Sequence, residues 1–171
     1  MQEILSLVDA IVQEHTRLLS DVRRSTRIAN DLGTFFKLEK ASSGFEPKKL
    51  ENRMQSLQNL KEVLETVNKE LGAHFYHEEK VLIPACEEYK HKHQMFSCAL
   101  SSLLDEHEGI MTRIDVSKRH VNELLTGDLS QELWEGQAYG MKIYLDHTTS
   151  LLKEHARSEE ELFRMLRKGL E

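Results

Sequence analysis

The sequence predicts an all-α protein, an antiparallel up-down-up-down four-helix bundle, and three observations carry that expectation. Among 171 residues there are only two prolines and eight glycines, too few for a strand-rich fold with frequent turns. Four stretches place apolar residues at steps of three and four, the spacing of one helix face. Each apolar stripe is interrupted by a histidine, and the links between stretches are short or moderate, which favours antiparallel neighbours.

The first helix is predicted from about Gln2 to Leu32, with Leu5, Val8, Val12, His15, Leu19 and Val22 on its seam. Gly33 follows as a C-cap signal. Thr34 to Glu46, containing Ser42-Ser43-Gly44, reads as the longest connection. Pro47 then sits where a first helical residue tolerates the missing N–H. The second helix runs to about Leu82, through Leu57, Leu60, Leu64, Val67, Leu71, His74, Glu78 and Val81, and Pro84 ends or kinks it. The third runs from about Gln94 to Leu125, through Leu100, Leu103, Leu104, His107, Ile110, Met111 and Ile114. Gly127-Asp128 breaks the chain, and Ser130 offers the hydroxyl of a helix entry. The fourth extends to about Lys168, through Met141, Tyr144, Leu145, Thr148, Leu151, Leu152, His155, Glu159 and Leu162. Residues 1–171 are read as a single domain, long enough to enclose a core.

Composition excludes several functional classes. The formal net charge is −6, and lysine and arginine are scattered among acidic residues, so no nucleic-acid footprint is expected. No apolar run approaches the roughly 20 residues of a membrane-spanning helix. Met1-Gln2-Glu3-Ile4 lacks the basic start of a secretory leader. Cys86 and Cys98 show no CxxC spacing and read as buried apolar side chains, and a cytoplasmic setting is expected.

The chemistry lies where the seams turn polar. All four carry a histidine, namely His15, His74, His107 and His155, and two add a carboxylate four residues later, Glu78 and Glu159. Residues at i and i+4 lie on one helix face, about 6 Å apart along the axis. The halves repeat: Glu14-His15 matches Glu106-His107, and His74-Phe75-Tyr76-His77-Glu78-Glu79 matches His155-Ala156-Arg157-Ser158-Glu159-Glu160. The plan is H…HxxxE twice, with a pseudo-two-fold axis. A lone seam histidine is more often a structural residue paired with a neighbour. Six such groups at matching depth would be heavily penalised in a bundle interior unless something compensates them. Imidazole with carboxylate suits iron, manganese or zinc. Six ligands exceed the four a zinc site usually takes, so two metals, each with two histidines and sharing both glutamates, fit better.

At these residues the sequence resembles the hemerythrin-like (HHE cation-binding) domain family. The stretch His-Phe-Tyr-His-Glu-Glu-Lys-Val-Leu-Ile-Pro at 74–84 is similar to that family's second-helix signature. Leu104-Asp105-Glu106-His107 and His155 to Phe163 are similar to the third and fourth. The resemblance implies two iron ions (Fe2+/Fe3+) bridged by an oxo or hydroxo group inside a hemerythrin-like bundle. It implies a metal-binding protein that binds or senses oxygen, nitric oxide or peroxide. The alternative is an enzyme reducing nitric oxide or peroxide, or donating iron for iron–sulfur cluster repair. Oxygen carriers of the family have a second third-helix histidine where this chain has Met111, and an aspartate where it has Glu160. The HxxxE at 155–159 resembles the repair and regulatory branches instead.

Other residues stay open at this point. His77 could replace or join His74, although its repeat partner is Ser158. His147 lies two turns before His155 and about 80° around the helix, either as a fifth histidine or on another face. His91, His93 and His120 are expected in solvent, and Glu14 and Glu106 are expected to point away from the site. One member of each pair, Glu78-Glu79 and Glu159-Glu160, is left for solvent or for contacts around the site. Tyr76 and Tyr144 are near enough by helical turns to donate to groups around the site, although aromatic core packing is the role expected of them, and Met111 is expected beside a gas-sized pocket. The partner expected is a diatomic gas or peroxide, with no nucleic acid and no membrane.

Overall fold

The computed structural model describes residues 2–39, 47–87, 91, 94–127 and 129–170. Four long helices dominate them: α1 (Gln2–Glu39), α2 (Pro47–His77), α4 (Gln94–Thr126) and α5 (Gln131–Leu170), with the short α3 (Ile83–Ala85) after α2. Packing runs in a ring, α1 on α2, α2 on α4, α4 on α5 and α5 back on α1. Sequential neighbours are thus antiparallel, as the short links require, and α1 faces α4 across one diagonal.

Pro47 opens α2 as anticipated. Ser130 caps α5, its hydroxyl accepting from Leu133 N–H at 3.5 Å, and Trp134 N–H bonds its carbonyl at 2.9 Å. Trp134 Nε1–H also donates to Leu124 O at 3.0 Å, which ties the α4–α5 link closed. A Cβ on Gly127 would lie 2.6 Å from Glu123 O, so the chain reversal there requires glycine.

Two boundaries differ from the sequence reading. Helix α1 continues through Gly33 to Glu39, because a helix-interior glycine costs only about 1 kcal/mol and the residues after it can propagate the helix. Residues 40–46 of the anticipated connection lie outside the described residues. The second helix is interrupted by a π-helical turn over Glu78–Leu82, in which Ile83 N–H bonds Glu78 O. Pro84 cannot donate a backbone hydrogen bond, and the wider turn accommodates that loss.

The core forms three layers along the bundle. One end holds Val8, Ile11, Leu82, Phe96, Leu100, Leu162, Phe163 and Leu166. The middle holds Leu18, Val22, Val67, Leu71, Phe75, Ile110, Ile114 and Leu152, and the far end Leu57, Leu60, Leu64, Val121, Met141 and Leu145. On α1 the buried stripe is Val8, Ile11, His15, Leu18 and Val22, with Val12 and Leu19 at its edge. The spacing admits either choice, and helix packing selects the one facing both neighbours. The π-turn likewise buries Leu82 and leaves Val81 exposed. Cys86 is buried and Cys98 exposed, a correction for Cys98, which sits on the outer face of α4 away from Phe96 and Leu100. No helix among the described residues is long and apolar enough to cross a membrane.

Candidate metal centre

A polar layer sits between the end and middle layers of the core. His15 (α1), His74 (α2), Glu78 (π-turn), His107 (α4), and His155 and Glu159 (α5) converge there, none more than 4 % exposed. They form two overlapping groups, His15, His74, Glu78, Glu159 and Glu78, His107, His155, Glu159, with the potential ligand atoms of each group within 4.8 Å of one another.

All four histidines turn Nε2 inward. Glu78 places Oε1 3.4 Å from His74 Nε2 and Oε2 3.2 Å from His107 Nε2. Glu159 places Oε2 2.7 Å from His15 Nε2 and Oε1 3.3 Å from His155 Nε2. Each carboxylate therefore offers one oxygen to each half of the cluster. His15 Nε2 and His74 Nε2 lie 3.0 Å apart.

Both oxygens of Glu78, Oε2 of Glu159 and Nε2 of His107 and His155 are buried without a hydrogen bond among the described residues. Lone pairs thus converge where few hydrogens can satisfy them, a costly arrangement in an apolar interior. Two cations would relieve it, and imidazole nitrogens with shared carboxylates are a donor set that fits a binuclear metal site.

The outer nitrogens are held from neighbouring helices. His74 Nδ1–H donates to Glu14 Oε2 at 3.0 Å, His107 Nδ1–H to Glu79 Oε1 at 3.0 Å, and His155 Nδ1–H to Glu106 Oε2 at 2.8 Å. Each bond fixes the tautomer that leaves Nε2 free to face inward. Glu14 and Glu106 do point away from the centre, as read, and Glu79 takes up a contact around it. Which helix each would reach lay beyond sequence spacing, because the contacts cross between helices.

Electrostatics follow from burial and from these contacts. Burial, with the Glu159 charge beside it, pushes the Glu78 carboxyl up to about 8 despite the opposing influence of the His107 imidazole 3.2 Å away. Burial pulls His107 down, yet the nearby Glu159 and Glu78 carboxylates and the bond to Glu79 outweigh it and raise the imidazole to about 10. Burial also raises Glu159, and His107, His15 and His155 more than reverse it, holding that carboxyl well below the usual range. His74 is lowered by burial, against the bond to Glu14. His155 is lowered by burial and raised, on balance, by Glu159 and Glu106.

The remaining candidates lie elsewhere. His77 is half-exposed and donates through Nδ1 to Glu14 Oε1 at 3.0 Å. His147 is exposed and accepts from Arg113 Nη1 at 3.2 Å. His91 and His120 are exposed and half-exposed, and His93 lies outside the described residues. Tyr76 is exposed, a correction to core packing, because it points out one position beyond the buried Phe75. Tyr144 packs under Arg113 at 5.5 Å instead of near the centre.

A cavity of about 20 Å³ adjoins the centre, lined by His15, His74, His155 and apolar side chains including Leu18, Val22, Leu71 and Leu152. Met111 is not among its lining residues; it packs toward Gly72 on α2, which corrects its expected role. Phe75, absent from the sequence reading of the seam, stacks on His107 with centroids 3.8 Å apart and also contacts His74 and His155.

The sequence matches the family described as hemerythrin HHE cation binding domain over residues 6–166. No curated protein and no solved structure matches the chain.

Proposed function

The chain belongs to the hemerythrin HHE cation-binding family, and on that premise we propose that it is a non-haem di-iron protein that binds or senses oxygen, nitric oxide or peroxide. His15 and His74 would hold one iron, His107 and His155 the other, with Glu78 and Glu159 shared and an oxo or hydroxo bridge between. The whole of residues 1–171 would act as one such domain. The absence of a thiolate from the six-residue set supports iron over softer metals. When bound, the pair of irons supplies reversible one-electron chemistry and open positions for a small molecule.

The observation that carries the small-ligand reading is the apolar cavity beside the six residues. Its volume of about 20 Å³ compares with the roughly 10–15 Å³ that one water requires. A diatomic molecule fits, and the leucine and valine walls favour an uncharged one. The test is to load the purified protein with iron(II) without air and record optical spectra before and after adding nitric oxide or oxygen. New ligand-dependent bands on a two-iron protein support the reading; an unaltered spectrum ends it.

A second reading, an enzyme reducing nitric oxide or peroxide, is favoured by one observation. Glu79 and Glu106, each bonded to a buried histidine, are 40 % and 51 % exposed, so protons that such a reduction consumes have carriers at the surface. Consumption of either substrate by the iron-loaded protein under reducing conditions, above that of free iron, decides for it.

A further inference from the structure

The repeat makes the centre nearly two-fold symmetric, and one departure from that symmetry has chemical weight. Glu14 corresponds to Glu106, His15 to His107, His74 to His155 and Glu79 to Glu160. Two of the outer contacts obey the correspondence: Glu14 holds His74 Nδ1 as Glu106 holds His155 Nδ1. The next pair does not. Glu79 holds His107 Nδ1 at 3.0 Å, whereas Glu160 is exposed and the buried Nδ1 of His15 has no hydrogen-bond partner among the described residues.

The departure coincides with the π-turn. Glu79 lies within Glu78–Leu82, the turn ahead of Pro84. In the second repeat Met165 stands where Pro84 does, and α5 continues as an unbroken α-helix from Gln131 to Leu170. The wider turn changes the angular position of the residues it contains, and only the glutamate in that turn meets its histidine.

An imidazole that donates its outer N–H to a carboxylate is a better-oriented and more basic ligand, and losing such a partner typically costs 10–100-fold in metal affinity. His107 and His155 both have this support; of His15 and His74, only His74 does. We propose that the two metals are held unequally, the one at His15 and His74 leaving first, and that Glu79 is the positioning residue that sets the difference. This rests on the metal-binding reading above.

Protein loaded with iron(II) without air is mixed with excess ferrous chelator, and release is followed optically. Two phases of one equivalent each are expected, with rates at least about tenfold apart. Glu79→Ala should accelerate the slow phase and bring the two within a few-fold of each other. Glu79→Gln, whose amide oxygen still accepts the bond, should restore the separation. Glu14→Ala should accelerate the fast phase alone, and Glu160→Ala should change neither. Circular dichroism of the metal-free variants checks that the helices persist. Single-phase release from the wild type, or a Glu79→Ala that keeps the original separation, overturns the inference while leaving the binuclear centre intact. A wild type that takes up no metal overturns that centre and this inference together.

Discussion

The ring of Phe75 lies face to face on the imidazole of His107, with centroids 3.8 Å apart and planes 7° from parallel. A buried aromatic thereby sets the plane of a histidine whose Nε2 must point inward. Phe75→Ala should destabilise the metal-free protein by about 3–5 kcal/mol, read from urea unfolding. Phe75→Leu retains most of the volume and should cost less, yet lower the metal bound per chain, because the imidazole loses its platform. A Leu variant with full metal content would show that packing volume alone matters there.

Glu78 separates folding from metal binding. Its carboxyl, pushed up to about 8, is largely protonated at pH 7 in the metal-free protein, so an amide is close to its native state. Glu78→Gln should change metal-free stability by less than about 1 kcal/mol. The same variant should bind fewer than two metals per chain, since an amide bridges poorly. Unchanged stoichiometry by metal analysis would remove Glu78 from the ligand set.

The pH dependence of the metal-free protein has a definite sign. Above 4.5 the folded chain keeps a proton on Glu78 that the unfolded chain loses, and His107 does the same above 6.5. Their contributions to stability therefore disappear as pH rises, through about 8 for Glu78 and about 10 for His107. His74, lowered below 6.5, and Glu159, lowered below 4.5, act oppositely and cost stability on acidification. Stability without metal should be highest between about pH 4.5 and 6.5 and fall from there toward pH 10, and saturating metal should abolish the alkaline loss. Metal uptake at pH 7 should release about two protons, measurable by calorimetry in buffers of different ionisation enthalpy.

Much of this centre was legible before the structure because its six residues obey helical spacing: i and i+4 for His74–Glu78 and His155–Glu159, and a shared depth for His15 and His107. What was not legible depends on relations between helices. The carboxylates of Glu14, Glu79 and Glu106 reach histidines 60, 28 and 49 residues away in sequence, and no local period encodes that. Phe75 follows His74 directly, so a seam counted in threes and fours passes over it. Pro84 signalled a break, but whether the chain would kink, stop or widen into a π-turn depends on packing against α1 and α4. Gly33 reads as a terminus because glycine is favoured just past a helix end, yet its intrinsic cost inside a helix is small enough for context to decide.

The cavity beside the centre yields a further outcome. Ala156 lines it, and Ala156→Val would occupy part of the space a small ligand needs. The overpacking cost of about 1–3 kcal/mol would fall on the ligand-bound form and weaken nitric oxide binding roughly 5- to 150-fold. Iron content should stay at the wild-type level. Equal affinities in optical titrations would place the ligand elsewhere.

The account depends most on two metals being held by shared carboxylates. Metal analysis of wild-type protein loaded with iron(II) without air and freed of excess tests that directly. Two irons per chain are expected, falling below one in the double variant Glu78→Ala, Glu159→Ala; one iron or fewer in the wild type would contradict the binuclear centre.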